Sequence, residues 1–261
     1  MPTGGGTTRT VGLNITENTP PEFRPPGAVA LLTNDCAGKA LPRRLSVMRM
    51  SAHLTGLALV VLSTAAGAQI DRTPAEIADR ARIQGANNAP VWLVIVGDLA
   101  GKEDRAFRYD VWPAIDSLFV RTGKIRVAWV NLPDDTSKAS RIAAEVAVCA
   151  STDRKFWAPH DIMLWEQARW RHSPDPTEQL IMLAAQKGAR PAVVRECLQK
   201  QQMKRFLEND IARARGAGIH RAPGFIIDND VLTGAPTVDA LRAAIERALA
   251  KQQNPARKRG K

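Results

Sequence analysis

The sequence predicts an α/β domain: a parallel β-α-β unit, then a block of helices, then a β-β-α close. Three observations carry this. Ala89 to Val96 (APVWLVIV) is a continuous apolar, β-branched run of the kind buried on both faces of a sheet. A helical stretch separates it from a second such run, Lys124 to Val130 (KIRVAWV), and strands joined in this way lie parallel. Strand character returns only after a long helical region, at Gly224 to Asp228 (GFIID).

The elements follow in order. Thr73-Pro74-Ala75-Glu76 supplies a hydroxyl cap, a proline at the first helical position and an early acid, so a short helix opens there and a linker follows to residue 88. Beyond Gly97 to Glu103 a helix runs from about Asp104 to Arg121, with Phe107, Val111, Ile115, Leu118 and Phe119 on one face. Ser137 to Ser151, Phe156 to Gln167, Thr177 to Lys187, Arg190 to Gln199 and Met203 to Gly216 all show helical apolar spacing, punctuated by Pro174, Pro176, Gly188 and Pro191. Asn229-Asp230 reads as a turn into a strand from Val231 to Thr233, and Thr237 to Ala250 as a last amphipathic helix. Trp92, Trp112, Trp129, Trp157 and Trp165 fall on faces expected to be buried, whereas Trp170 sits near a loop and is expected at the surface. No internal repeat is present.

The ends differ from this middle. His53 to Ala68 (HLTGLALVVLSTAAGA), preceded by Arg43, Arg44 and Arg49, has the basic, apolar and small-residue parts of a secretory signal, with cleavage expected after Ala68. Its apolar stretch, Leu54 to Leu62, falls well short of the roughly 20 residues that span a bilayer. Residues 1–47 are rich in Gly, Pro and Thr and read as a disordered leader. Either translation starts at Met48 or Met50, or the long leader is genuine.

The formal net charge of +11 invites a nucleic-acid reading, but its distribution argues against one. Residues 1–68 hold six basic groups against three acids, and the last eleven residues hold five basic groups and no acid. The remainder, 69–250, is nearly balanced, with 26 basic and 23 acidic groups. The excess therefore sits on a tail over 251–261, read as a solvated end, with weak attraction to an anionic surface as its alternative.

Three cysteines occur, Cys36, Cys149 and Cys197, with no Cys-x-x-Cys and no Cys/His set at zinc spacing. No metal or other cofactor is expected. Cys36 precedes the export signal. Cys149 and Cys197 lie 48 positions apart, each inside an expected helix, which is unlike a vicinal catalytic pair. In an oxidising compartment the expectation is a structural bridge; separate buried thiols and a redox pair are the alternatives.

This order of elements, with helices inserted between the two halves of the sheet, resembles the DsbA-like thioredoxin fold, whose members interchange thiols and disulfides. Local strings are similar too. Val111-Trp112-Pro113-Ala114 through Gly123-Lys124-Ile125-Arg126 looks like that family's first long helix and second strand. Ala143 to Ala150 (AAEVAVCA), then Lys155-Phe156-Trp157 and His160-Asp161, is similar to its insertion. Arg221-Ala222-Pro223-Gly224-Phe225 resembles its cis-proline turn and the strand that follows. The resemblance covers roughly residues 89–250, with a helical insertion over about 136–216.

The resemblance also locates what is missing. Laid on this chain, the family pattern of strand, Asp-x-x-Cys-x-x-Cys and helix puts its aspartate at Asp98 and its two cysteines at Gly101 and Asp104. Gly101 has no side chain, and Asp104 cannot attack or form a disulfide. Asp104 is expected instead to cap the helix it opens, worth about 1 kcal/mol. No catalytic residue is therefore expected.

Other candidates weigh less. His160 beside Asp161 suggests a general base, but neighbours on a helix do not face each other, so no dyad is expected. His220, Arg221, Ala222 and Pro223 lie where the resemblance places the edge that docks extended peptide, and they are the candidate binding residues. The expected partner is an extended polypeptide or an envelope protein, bound without catalysis. A thiol-disulfide oxidoreductase using Cys149 or Cys197, or a glutathione-handling relative, is the alternative reading. Glutathione-handling relatives keep a hydroxyl at the first active-site position, which Gly101 lacks.

Overall fold

The computed structural model describes residues 72–253. The leader, the export signal with its cleavage point, Cys36 and the tail beyond Gln253 lie outside the described residues.

Thr73 caps α1 (Pro74–Ala81) through its hydroxyl, and Glu76 returns the bond to the Thr73 backbone, closing a capping box. The next element was not expected. Ile83–Gly85 forms β1, an edge strand inside the stretch read as linker. It is too short to announce itself by pattern, and it exists because it pairs antiparallel with β3, Gln84 opposite Val127. The apolar runs form β2 (Val91–Gly97) and β3 (Ile125–Asn131), which pair in parallel with Leu93 opposite Val127. β4 (Gly224–Ile227) pairs antiparallel with β2, and β5 (Asp230–Thr233) with β4, giving the order β1-β3-β2-β4-β5. Successive residues of a strand point to opposite faces. Leu93 and Ile95 accordingly join one core, with Trp129 and Phe225, while Val94 and Val96 join another, with Val130, Ala214 and Ile226.

Between β2 and β3 a helical run extends from Lys102 to Val120, but not uniformly. α2 (Lys102–Ala106) and α3 (Trp112–Ile115) alternate with wide π-helical turns at Phe107–Val111 and Asp116–Val120. Each wide turn rotates the faces that follow. Phe107, Ile115 and Phe119 are buried as expected, Trp112 joins them, Val111 is half-buried, and Leu118 is turned out to 42% exposure.

The insertion comprises α4 (Lys138–Ser151), α5 (Trp157–Trp165), α6 (Gln167–Trp170), α7 (Thr177–Gln186), α8 (Pro191–Gln199) and α9 (Lys204–Gly216). The break at Glu166, between α5 and α6, reverses the expectation for two tryptophans. Trp165, expected in the core, is 57% exposed, whereas Trp170 is fully buried and donates its Nε1–H to the Met163 carbonyl at 2.9 Å. Of the others, Trp112 and Trp129 are buried, and Trp92 and Trp157 are half-buried. Cys149 of α4 and Cys197 of α8 form a disulfide. The last helix, α10 (Val238–Gln253), continues through residues 251–253, which the sequence reads as tail.

A buried ion pair ties three parts of the fold together. Arg82, after α1, donates through Nη1 to both Asp210 oxygens of α9 at 2.7 Å. Asp210 Oδ2 also accepts from the Asn131 backbone at 3.1 Å and from Asn131 Nδ2 at 2.9 Å, at the end of β3. Arg82 further bonds Asp79 and stacks on Phe206, so the buried guanidinium is fully engaged.

Candidate functional site

The site is the end of the sheet where β2 runs out. Gly97 lets the strand pass tightly over the Trp129 ring, which a Cβ there would strike. Asp98 then organises the loop. Its Oδ1 accepts from the Ala100 N–H at 2.9 Å and from the Ser140 hydroxyl at 2.6 Å, and its Oδ2 from the Asp134 N–H at 3.3 Å. Burial pushes the Asp98 carboxyl up, and these hydrogen bonds oppose the shift.

Gly101, not Asp104, is the N-cap of the helix. The Arg105 N–H donates to the Gly101 carbonyl, so Asp104 already lies inside the first turn. Its side chain turns back under the loop, where Oδ1 accepts the Asp98 N–H at 3.1 Å. Oδ2 is buried with no partner among the described residues, and a Cβ on Gly101 would collide with it. The expected cap is thus corrected. The backward bond to Asp98 N–H draws the carboxyl inward, where no cap can reach. Burial, joined by the charges of Asp98 and Glu103, holds this carboxyl well above the usual range, so it keeps its proton where exposed aspartates have lost theirs.

The insertion clamps this loop. Gln167 Nε2 donates to the Leu99 and Gly101 carbonyls, both at 2.8 Å. Nothing local in the sequence marks Gln167 or Ser140 for these roles, because their partners are remote along the chain.

The Ala222–Pro223 peptide is cis. Gly224 pairs with Val96, which sets Ala222 and Pro223 beside the end of β2. The Asp134 carboxyl is lowered mainly by Thr136 and further by the charge of Arg221, so Arg221 also lies by this loop. His220 and Arg221 are exposed and Pro223 is buried. The Pro223 carbonyl accepts from Gly234 N–H at 2.9 Å, but the N–H and carbonyl of Ala222 have no hydrogen-bond partner among the described residues. Gly101, Asp104 and residues 220–223 thus gather at one end of the sheet, while Cys149 and Cys197 lie apart in the insertion.

His160 and Asp161 depart from expectation. Their side chains meet, with His160 Nδ1 at 2.9 Å from Asp161 Oδ1, because Arg108 holds the carboxylate in a fork at 2.8 and 2.6 Å. Burial works to raise the Asp161 pKa, but the bonds from His160 and Arg108 outweigh it and hold it down. Burial pushes His160 down. The neutral ring therefore donates from Nδ1, and its Nε2 is sealed among Trp129, Phe156 and Trp157. This is a core brace, with no route for substrate to the ring. Among the described residues no cluster of His, Cys, Asp and Glu suits a metal.

The profile described as thioredoxin matches residues 78–247. The chain belongs to the thioredoxin family. Its fold is of the DsbA-like form, as the solved structures it resembles show. BdbD from Bacillus subtilis superposes with a TM-score of 0.60 at 24% identity, over 65% of this chain and 92% of that one. Wolbachia pipientis alpha-DsbA1 gives 0.57 at 18% identity, over 67% and 94%. Among curated relatives, disulfide bond formation protein D of Bacillus subtilis is 23% identical over 176 residues, 64% of this chain and 76% of that protein. A putative protein-disulfide oxidoreductase of Rickettsia conorii is 26% identical over 152 residues, 58% of this chain. The Na(+)/H(+) antiporter NhaA 1 of Salinispora arenicola is 27% identical over 173 residues, 66% of this chain. The match spans 54% of the Rickettsia protein and 25% of the antiporter.

Proposed function

We propose that this chain is an exported, DsbA-like polypeptide-binding protein that performs no thiol-disulfide exchange at its family's usual site. One observation carries the reading. Where the family pattern has two cysteines, Asp104 fills the space a side chain at position 101 would need, and its carboxyl is bonded into the loop. Exchange needs an attacking thiolate and a resolving thiol close by, and among the described residues this end of the sheet offers neither. What it does offer is Ala222, whose two backbone groups beside the sheet have no hydrogen-bond partner among the described residues. An extended segment can pair with such groups by strand addition, which requires no cysteine. His220 and Arg221 flank that edge.

Export is part of the proposal and rests on the signal-like segment over 48–68. The proposal also includes the division into leader, signal, fold with insertion, and basic tail, with an envelope polypeptide as partner, no nucleic acid and no cofactor. A second reading is favoured by the likeness to a putative protein-disulfide oxidoreductase and a disulfide bond formation protein: thiol-disulfide exchange through Cys149 and Cys197, which line a groove in the insertion.

The experiment pairs two assays on protein beginning at Gln69. Insulin reduction and dithiol-peptide oxidation are expected at background, and a reduced, carboxymethylated unfolded protein is expected to bind. Activity that disappears on Cys149→Ala or Cys197→Ala would establish the second reading instead.

A further inference from the structure

Beside the degenerate loop lies a preformed aromatic and cationic platform that the preceding reading leaves unused. Arg105 sits one residue beyond Asp104, and its Nε donates to the Leu164 carbonyl at 3.1 Å. This anchor holds its guanidinium 5.4 Å from the Tyr109 ring centre and 5.8 Å from that of Trp165. The two rings meet edge to face at 5.1 Å, and the Tyr109 hydroxyl donates to the Asp161 carbonyl at 2.9 Å. Gln167, two residues after Trp165, is bonded to the loop itself. Arg105 and Tyr109 are thus anchored and Trp165 packs on both, yet Trp165 is 57% exposed.

Its charge is also uncommitted. Lys102 shares a helix face with Arg105, three residues apart. Neither is paired with a carboxylate among the described residues. The neighbouring acids are engaged elsewhere, Asp161 with Arg108 and His160, and Glu166 with Arg169. Glu103 lies about 200° around the helix from Arg105. An exposed tryptophan, a tyrosine and a stacked arginine are the residue types that dominate binding energy at interfaces. Holding them rigid in advance removes much of the ordering cost of binding.

We propose that Lys102, Arg105, Tyr109 and Trp165 form a specificity platform for an extended polypeptide carrying an acidic residue next to an aromatic one. The carboxylate meets Arg105 and Lys102, and the aromatic ring covers Trp165. The inference rests on the polypeptide-binding reading and gives that polypeptide its chemistry.

The test uses the full mature chain and two fluorescein-labelled Ser/Gly peptides, one with a central Glu-Phe-Asp and one with Lys-Phe-Lys, read by anisotropy. The acidic peptide is expected to bind at least tenfold more tightly. Arg105→Gln should abolish that preference, Arg105→Lys should keep part of it, and Trp165→Ala should weaken both peptides. Thermal melts of each variant would verify folding. Binding of both peptides with equal affinity, or a preference unchanged in Arg105→Gln, overturns the platform and leaves the polypeptide reading standing. Failure of both peptides and of the unfolded protein to bind overturns both.

Discussion

The buried carboxyl of Asp104 lies in the volume that any side chain on Gly101 would require. The two positions are coupled. A glycine at the cap admits the inward aspartate, and any larger residue at the cap would have to displace the aspartate carboxyl. Asp104 Oδ2 fills this space, and its other oxygen, Oδ1, accepts from the Asp98 N–H.

That coupling predicts a non-additive pair of substitutions. Gly101→Cys alone should destabilise the fold by about 1–3 kcal/mol, the usual cost of forcing atoms into a packed site. Gly101→Cys with Asp104→Cys should recover most of that loss in urea unfolding, and should give measurable dithiol oxidation from a thiol at the start of a helix. A double variant less stable than the single one would show the coupling to be wrong.

The raised Asp104 carboxyl sets a pH dependence whose sign is fixed. Its folded pKa lies above the unfolded value, so the stabilisation it confers is complete below that unfolded value and declines as pH rises through the folded pKa. Asp104→Asn keeps an acceptor for the Asp98 N–H and removes the titration. It should be more stable than wild type at neutral pH, with the difference vanishing in acid. His160 acts oppositely. Its pKa is depressed, so its contribution is present above the unfolded value and is lost as pH falls below it. Melting temperatures over a pH series check both limbs.

Asp210 carries a further prediction. Asp210→Ala leaves the Arg82 guanidinium buried without its main partner and strips the bonds to Asn131. A loss of about 3–5 kcal/mol is expected. Arg82→Met combined with Asp210→Leu should recover part of it in chemical denaturation, because no unpaired charge then remains buried.

The disulfide should matter to stability and not to binding. Replacing Cys149 and Cys197 together by alanine opens a loop of 48 residues, for which chain entropy gives about 4 kcal/mol. The melting temperature should fall, while affinity for the unfolded-protein probe stays within error. A loss of binding at temperatures where the variant is folded would tie the insertion's packing to the site.

The sequence by itself determined the elements that announce themselves by period: the two parallel strands, the helical insertion and the closing β-β-α. The strand-to-helix junction at Asp98 to Asp104 was legible too, because it is local, and it carries no cysteine. Tertiary structure alone decided the rest, wherever a residue's environment is made by something distant in the chain. β1 is a strand only because β3 is there to pair with it. Trp165 and Trp170 exchange places because a break at Glu166 rephases the helix. His160 and Asp161 meet because Arg108 holds the carboxylate, and Asp104 turns from cap to buried acid because the Asp98 N–H draws it inward. Periodicity reports which way a side chain points from its own helix or strand. What it meets there is set by packing against elements that periodicity does not describe.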